Sequence, residues 1–409
     1  MDEENSFPTG EEVQVNTEPA PEATPPAEEE TAQRRKKQRV RRKRRSILAA
    51  AVTLLLIVLA LLVFLFREEL TGDNLRRLLG GEAAASEERD AFTYETGANQ
   101  VFAPAGNGLA VVSASAAQLL NERGETVQKQ VLSFETPAVF ACGQGALFCD
   151  LGGTDCLLMR FDRAEPLRLS EPTGILCAGM NENGWFFVAS DAAGYKGRLA
   201  VYDASGEKRY EWWSGSGYLL KAAVSPDNRS LAVLCAEKHG SVLHLLSLDS
   251  EEERAKAEFP GELVYDLSFR GSDLLCLVGE QEIRFLNTHG EQKGSYPLGE
   301  KNLLDYDFGS QSFVTLFLSD YRGGAGGTLV TLDGKGEVLG TAELERDVVS
   351  LCGCGRQVLV MTAGDLSLYN QSLNRQNRQE ALMTARRAIL RPEGDVLLLN
   401  AYAAERFSF

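Results

Sequence analysis

The stretch VSPDNRSLAV, residues 224–233, decides the fold, because it shows the unit that most of the chain repeats. A polar turn, residues 226–230, leads into a short apolar run, and this pattern is typical of a tight β-hairpin. The same signal, a turn rich in Gly, Pro, Asn or Asp followed by an apolar run, recurs eight times. The runs are marked by Leu109, Leu147, Trp185, Leu231, Leu274, Phe313, Val358 and Val396.

The spacing of these runs indicates the architecture. Successive runs lie 38 to 46 residues apart, and four-stranded propeller blades recur about every 40–45 residues. We therefore expect an all-β fold, a β-propeller of about eight four-stranded blades over residues 91–409. Seven blades remain the alternative if one weak repeat is not a full blade.

A second signal follows each of the first seven runs by 12–20 residues, where an apolar strand ends in Asn or Asp and a turn begins. Asn and Asp suit this position because their side chains bond the turn backbone and tolerate left-handed geometry. The residues are Asn121, Asp162, Asp203, Asp249, Asn287, Asp333 and Asn370.

The eighth repeat reaches Phe409 before its fourth strand would begin, and a candidate for that strand lies at the other end of the domain. Residues 91–96, AFTYET, alternate so that Phe92 and Tyr94 share one face. We expect this segment to pair as the outer strand of the last blade. Such closure removes the exposed strand edges that otherwise promote aggregation.

A membrane segment precedes the repeats. Residues 46–66 hold no charge, no proline and no glycine. As a helix they would span about 31 Å, close to the hydrocarbon thickness of a bilayer. We predict one transmembrane α-helix here. A cleaved signal peptide is the alternative, but its apolar region is usually shorter, with a small-residue cleavage site close behind.

The segments around this helix set its orientation. Residues 1–33 hold ten acidic and no basic residues, a composition typical of disorder. Residues 34–45 form a basic block, which predicts a cytoplasmic N-terminus and an extracytoplasmic propeller and can also bind anionic lipid head groups. We therefore divide the chain into a cytoplasmic tail (1–45), the helix (46–66), a juxtamembrane stalk with a short helix (67–90) and the propeller (91–409). The basic block is Arg34, Arg35, Lys36, Lys37, Arg39, Arg41, Arg42, Lys43, Arg44 and Arg45.

Two of the repeats carry a resemblance to known families. Residues 224–233 resemble the hairpin of WD-repeat-like and TolB-like propellers, and residues 201–206, VYDASG, resemble pyrroloquinoline-quinone-type propeller repeats. The layout of basic tail, helix, stalk and propeller is similar to an uncharacterised family of membrane-anchored propellers in Firmicutes. The resemblance implies the fold and the membrane location but no activity, because propellers host many functions.

The residues that could carry chemistry form no specific motif. The eight cysteines sit mostly inside apolar strands and are interpreted as small buried hydrophobes, with disulfides as the alternative. Cys352 and Cys354 would share one face of a strand and could bind a metal, but no second pair at zinc-site spacing occurs. Trp212 and Trp213 are expected to pack between blades, with sugar stacking as the alternative. The three histidines, His239, His244 and His289, are expected on the surface or in packing roles.

No catalytic, cofactor-binding or metal-binding residue is therefore predicted, and no cofactor. The ten acidic residues of 1–33 and the ten basic residues of 34–45 cancel in charge, so the net charge of −16 belongs to residues 46–409. This negative charge argues against nucleic acid as a partner. We expect a non-catalytic binding or scaffold module in the cell envelope, with membrane lipid and an envelope protein, peptide or wall polymer as partners. The alternative is a propeller enzyme, such as a lyase, hydrolase or quinone-dependent oxidoreductase. Charged side chains converging on the channel would favour the enzyme, and a flat aromatic patch would favour binding.

Overall fold

The computed structural model describes residues 91–409 except 251, 323–325 and 381–383. It contains eight antiparallel sheets of four strands each, so the prediction of eight blades is confirmed and the alternative of seven is wrong. The predicted tail (1–45), transmembrane helix (46–66) and stalk (67–90) lie outside the described residues and stay predictions. Within the described residues there is no helix of the length and apolar character that crossing a bilayer requires.

Blades 1 to 7 each use four consecutive strands, with the first innermost and the fourth outermost. Blade 1 contains β2 Val101–Ala105, β3 Gly108–Val112, β4 Ala116–Leu120 and β5 Thr126–Val131, and blade 2 contains β6 Pro137–Cys142, β7 Gly145–Asp150, β8 Asp155–Arg160 and β9 Leu167–Ser170. Blade 3 contains β10 Ile175–Met180, β11 Phe186–Ser190, β12 Gly197–Tyr202 and β13 Lys208–Ser214, and blade 4 contains β14 Tyr218–Val224, β15 Ser230–Glu237, β16 Gly240–Ser247 and β17 Glu253–Pro260. Blade 5 contains β18 Val264–Phe269, β19 Leu274–Gly279, β20 Glu282–Asn287 and β21 Gln292–Pro297, and blade 6 contains β22 Asn302–Asp307, β23 Val314–Ser319, β24 Gly327–Leu332 and β25 Val338–Leu344. Blade 7 contains β26 Val348–Cys354, β27 Gln357–Thr362, β28 Asp365–Asn370 and β29 Arg375–Glu380.

Blade 8 is built from both ends of the domain. Its first three strands are β30 Arg387–Leu390, β31 Val396–Leu399 and β32 Ala403–Phe407, and its outer strand is β1 Ala91–Thr93. Phe92 pairs with Ala404 in the antiparallel register of β1 and β32. The predicted closing strand is therefore confirmed, although it is shorter than the segment 91–96.

The apolar runs of the sequence are the second strands of the blades or lead directly into them. Residues 231–235 of β15 are fully buried, because this strand is covered by a neighbouring blade on each face. A strand buried on both faces reads as a continuous apolar run. The outer strand β13, by contrast, alternates between exposed and partly buried residues.

The hydrophobic core is divided among the gaps between blades. Eight clusters of buried side chains fill the eight gaps, one cluster in each. The gap between blades 8 and 1 holds Leu397 and Leu399 against Leu109 and Leu120. The ring is therefore closed by packing as well as by the strand pairing of β1.

The two faces of the ring differ in their connections. The crossover face carries the segments that join an outer strand to the next inner strand, such as 261–263, and the hairpin loops between second and third strands, such as 191–196. The turn face carries the turns between first and second strands, such as 225–229, and between third and fourth strands, such as 203–207. The chain enters β1 at the turn face, because Ala91 pairs with Glu405 and Thr93 with Ala403.

Candidate functional site

Exposed apolar side chains are concentrated on the crossover face. Of the fourteen large hydrophobic side chains that are exposed in the described residues, eleven lie at this face. Exposed hydrophobic residues scattered singly need no explanation, whereas contiguous apolar patches mark interaction sites, so the crossover face is the candidate surface. The eleven residues are Val131, Leu176, Tyr195, Trp213, Tyr218, Leu263, Tyr265, Leu304, Tyr321, Val349 and Tyr402.

A repeated backbone irregularity produces part of this surface. In blades 3 to 7 the inner strand skips one residue in its register with the second strand, always near the crossover face. Blades 1, 2 and 8 pair without this shift. A β-bulge leaves the extra residue unpaired and re-aims its side chain. The five bulged residues, which we call the apolar arc, are Leu176, Leu220, Tyr265, Leu304 and Val349.

The arc is not explained by the needs of the core. In blade 5 the core position is filled by Val264, which is fully buried, whereas Tyr265 next to it is exposed. Blade 3 has the same arrangement at Ile175 and Leu176. At four of the five bulges the apolar side chain is exposed, whereas Leu220 is partly buried against the core cluster between blades 4 and 5. The four exposed side chains form an apolar rim on the inner strands of blades 3, 5, 6 and 7.

An aromatic cluster extends this rim outward at blades 3 and 4. It consists of Tyr195, Trp213 and Tyr218, and the ring of Tyr195 lies 5.0 Å from that of Trp213. The ammonium group of Lys196 lies 4.8 Å from the ring centre of Tyr218 and donates a 3.2 Å hydrogen bond to its hydroxyl oxygen. Tyr218 is 60% exposed and Trp213 is 43% exposed. The rings of Tyr195 and Trp213 are tilted by 49°, so the cluster is an exposed aromatic patch but not the flat one that the sequence analysis associated with binding.

A largely buried ion-pair network packs against Trp213 of the cluster. The guanidinium of Arg198 lies 5.7 Å from the ring centre of Trp213 and pairs with the carboxylates of Glu171 and Glu211. Glu171 is buried and also accepts hydrogen bonds from the hydroxyls of Ser190 and Tyr202, at 3.3 and 3.2 Å. Burial and the Glu171 carboxylate raise the pKa of Tyr202 to about 12, so its hydroxyl stays a donor. Trp213 therefore stands on a fixed support, which lowers the entropy lost when a ligand binds.

A concave site lies at the central channel. A cavity of about 480 Å³ opens near the turn face and is lined by the inner strands of blades 2 to 6. Gln311 of blade 6 donates a hydrogen bond to Glu182 of blade 3 across its mouth. Charged groups do converge here, and this is the feature that the sequence analysis associated with an enzyme.

The charged groups of the channel are occupied in bonds between blades. Asp266 of blade 5 lies 3.3 Å from the Lys221 ammonium of blade 4 and accepts a 2.8 Å hydrogen bond from the Tyr306 hydroxyl of blade 6. Arg270 donates to the carbonyl oxygens of Phe308 and Phe313, at 2.7 and 3.0 Å. Burial lowers the pKa of Arg270.

Asp307 shows the same behaviour one blade further on. Its carboxylate accepts hydrogen bonds from the backbone N–H groups of Gly309 and Gly353, both at 2.7 Å, and so joins blade 6 to blade 7. Burial raises the pKa of this carboxyl. Asp266, Arg270 and Asp307 therefore tie neighbouring blades together.

The residues that the sequence analysis singled out are separated by the fold. Trp212 packs against the cluster between blades 3 and 4, with its ring 5.1 Å from that of His244, so the prediction is confirmed for Trp212. The prediction was wrong for Trp213, which lies on the opposite side of the strand and is 43% exposed. His244 is buried and lies 2.8 Å from the Glu253 carboxylate, whereas His239 and His289 are exposed.

The cysteines lie in the strands, as predicted. Five are buried, and Cys177, Cys352 and Cys354 are partly buried. Cys352 and Cys354 pack against the same cluster, which confirms that they share a face of β26. Over the described part of the chain, no three His, Cys, Asp or Glu side chains are grouped so that they could hold a metal ion. The basic block, residues 34–45, lies outside the described residues.

The comparison with protein families agrees with this architecture. The model of a family of unknown function, DUF5711, matches residues 85–390. The chain belongs to the DUF5711 family. No curated protein matches this DUF5711 chain.

Solved structures similar to this DUF5711 protein confirm the propeller fold. BamB from Moraxella catarrhalis is 12% identical with a TM-score of 0.52, and the match covers 80% of this chain and 99% of BamB. Sqt1 from Chaetomium thermophilum, solved bound to the N-terminus of the ribosomal protein L10, is 11% identical with a TM-score of 0.53, covering 79% and 100%. Apo AztD from Citrobacter koseri is 12% identical with a TM-score of 0.50, covering 69% and 86%. At these identities the likeness concerns the fold alone.

Proposed function

We propose that this DUF5711 protein is a membrane-anchored, extracytoplasmic and non-catalytic binding module whose crossover face takes a protein partner. The observation that carries the proposal is the gathering of the apolar arc and the aromatic cluster on one face of a rigid ring. Aromatic side chains and Arg are enriched where proteins bind one another, and Tyr and Trp supply contact area at low entropic cost.

The expected partner is a peptide segment with apolar side chains and basic flanks. The arc offers positions for a row of apolar side chains, and the net charge of −16 favours a basic segment through electrostatic steering. The Sqt1 propeller was solved with the N-terminal segment of another protein, which supports a peptide as the class of ligand. Membrane lipid would then be the partner of the anchor and not of the ligand site.

The proposed membrane anchor agrees with a binding role. The chain enters β1 at the turn face, and the aromatic cluster lies at the crossover face. Anchoring would restrict the module to partners at the membrane and raise its effective concentration there. The bonds that occupy Asp266, Arg270 and Asp307 support a non-catalytic role for the channel.

Two matched substitutions test the proposal. Val349 of the arc is 47% exposed and Val338 of the turn face is 48% exposed, so Val349→Glu and Val338→Glu add the same charge at equal exposure. Peptides are first selected from a displayed random library by their binding to the full-length chain. We expect these peptides to bind the V349E and W213A variants at least tenfold more weakly than the unsubstituted chain. V338E should bind them as the unsubstituted chain does.

The outcome also separates the partner classes. Selected peptides should be rich in apolar and basic residues, and soluble wall-polymer fragments should not compete with them. The proposal fails if no peptides are enriched, if V338E and V349E bind equally, or if only wall-polymer fragments bind and W213A abolishes that binding.

A further inference from the structure

Two cysteines of blade 2 face each other across a strand pair. Cys149 of β7 and Cys156 of β8 are direct partners in the antiparallel register. Their sulfur atoms lie 2.7 Å apart. All eight cysteines belong to the described residues, and no other two have their sulfurs within hydrogen-bonding distance. The pairing therefore follows from the register of a single β-hairpin, in which the two cysteines lie seven residues apart.

The backbone geometry of such a pair suits a covalent bridge. Residues opposite each other in antiparallel strands have Cα atoms about 4.5 or 5.5 Å apart, depending on their hydrogen bonding. Both distances fall within the range of about 4.4–6.8 Å over which disulfides form. Cys352 and Cys354, by contrast, are two residues apart along the single strand β26.

The surroundings of the pair determine when it can react. Cys149 is fully buried and Cys156 is 3% exposed, in the apolar cluster between blades 2 and 3 with Phe186 and Leu158. Burial, together with the neighbouring Cys156 thiol, raises the pKa of Cys149 well above its usual value. A buried thiol that resists ionisation exchanges slowly, since the thiolate is the reactive form. Pairing must then occur in the hairpin of β7 and β8 before blade 3 covers it.

We propose that Cys149 and Cys156 form a disulfide when the chain folds in an oxidising compartment. One thiolate attacks an external disulfide, forms a mixed disulfide and releases one small thiol. The second thiolate then attacks the mixed disulfide, forms the S–S bond between the two strands and releases the second small thiol. Two electrons pass to the external disulfide, which is reduced, and the two protons of the cysteine thiols pass to the released thiolates.

The experiment counts free thiols in the full-length chain. The chain is refolded in a detergent solution with oxidised and reduced glutathione, denatured, alkylated and weighed by intact mass spectrometry. We expect six alkyl groups without reduction and eight after reduction. Peptide mapping should join the segments that carry Cys149 and Cys156.

Three variants make the assignment specific. The double variant Cys149→Ala with Cys156→Ala should give six alkyl groups with or without reductant. Cys149→Ala alone should give seven in both cases, and Cys235→Ala, a buried cysteine of another blade, should give five and seven. Eight alkyl groups without reduction in the unsubstituted chain, or a bridge between other cysteines, would overturn the proposal. The double variant C149A/C156A leaves the residues of the apolar arc and the aromatic cluster unaltered, so its peptide binding at the crossover face should remain unchanged.

Discussion

One side-chain oxygen shapes the turn between third and fourth strands in five blades. The Oδ1 atom of Asp203 accepts hydrogen bonds from the backbone N–H groups of Ser205 and Glu207, at 2.8 and 3.1 Å. The same pair of bonds, two and four residues on, forms at four other predicted turn residues: Asn121, Asn287, Asp333 and Asn370. The expected bonding role of Asn and Asp is thus confirmed at these five residues, whereas the carboxylate of Asp162 pairs with the guanidinium of Arg160 instead.

The conformational part of that expectation was wrong. The left-handed backbone falls on the third residue after the Asn or Asp, where φ is +87° at Gly206 and +55° at Leu373. Glycine adopts this conformation without steric cost, and Leu373 does so at a cost. The Asn or Asp therefore supplies the hydrogen bonds while its downstream neighbour supplies the unusual geometry.

Asp203 differs from its counterparts in having a cation as an additional partner. Arg209 Nε donates to its Oδ2 at 2.7 Å. Burial opposes ionisation, but the hydrogen bonds from Ser205 and Arg209 outweigh it and lower the pKa of Asp203 to about 2. The unfolded value is about 3.9. Because the folded pKa is depressed, the stabilisation is present above about pH 4 and is lost as the pH falls towards 2.

Asp203→Asn should reveal this contribution. Asn keeps the turn acceptor and loses the ion pair, so we expect the free energy of unfolding to fall by about 1 kcal/mol at pH 7. The difference from the unsubstituted chain should shrink between pH 4 and 2. Urea unfolding at several pH values measures this. Asp333→Asn is the control, since the described bonds of Asp333 are to turn N–H groups, and an equal loss in both variants would contradict the assignment.

At the scale of the element, the short strand β1 has a role beyond its length. Tyr94, just after it, is buried, and its hydroxyl lies 2.7 Å from the carbonyl oxygens of Asn400 and Ala403. Its ring meets that of Phe102 of blade 1 edge to face, with centroids 5.4 Å apart. Tyr94 therefore joins β1, the last hairpin and the first blade.

Tyr94→Ala should loosen the closure. We expect a loss of about 3–5 kcal/mol from the cavity and the missing bond, and self-association through the freed edge of β32. Tyr94→Phe, which keeps the ring, should cost about 1–2 kcal/mol and stay monomeric. Urea unfolding and sedimentation of both variants distinguish these results, and identical behaviour of the two would show that the ring packing does not matter.

The strands that recur in the sequence were predictable, and the functional surface was not. Second strands are buried on both faces, so their runs, such as residues 231–235, stand out in the sequence. The bulged inner strands of blades 3 to 7 each carry two successive apolar residues followed by Cys, a charged residue or Ser, as in Val264-Tyr265-Asp266. That pattern breaks strict alternation and was the available signal for the bulges, but only the register shows which residue is unpaired.

The exposure of Trp213 was not predictable from the alternation of strand side chains. Alternation places Trp212 and Trp213 on opposite faces, but each face of blade 3 meets a neighbouring blade, so the sequence alone did not show that Trp213 is exposed. The support of Trp213 was out of reach, because Glu171 precedes blade 3 in the chain and only the fold brings it to the hairpin that carries Arg198 and Glu211. The Cys149–Cys156 pair lies within a single hairpin, but the register of β7 and β8 is needed to align the two residues.

At the scale of the whole molecule, the orientation of the chain in the membrane is testable. The basic block at residues 34–45 followed by the apolar residues 46–66 predicts a cytoplasmic N-terminus. A phosphatase that is active only outside the cytoplasm, fused after Phe409, should be active, and a reporter that is active only inside should be silent. Replacing the ten basic residues by Gln should reduce this bias, and a silent phosphatase on the unsubstituted chain would refute the orientation.

The closure of blade 8 also has a consequence during biosynthesis. Its outer strand is made first and its other three strands are made last, about 300 residues later. Until residues 403–407 have left the ribosome, the first strand has no partner and the nascent ring has a gap. A prematurely terminated product would keep that gap, with Tyr94 and its neighbours accessible to proteases, so degradation could select for finished molecules without a dedicated recognition signal.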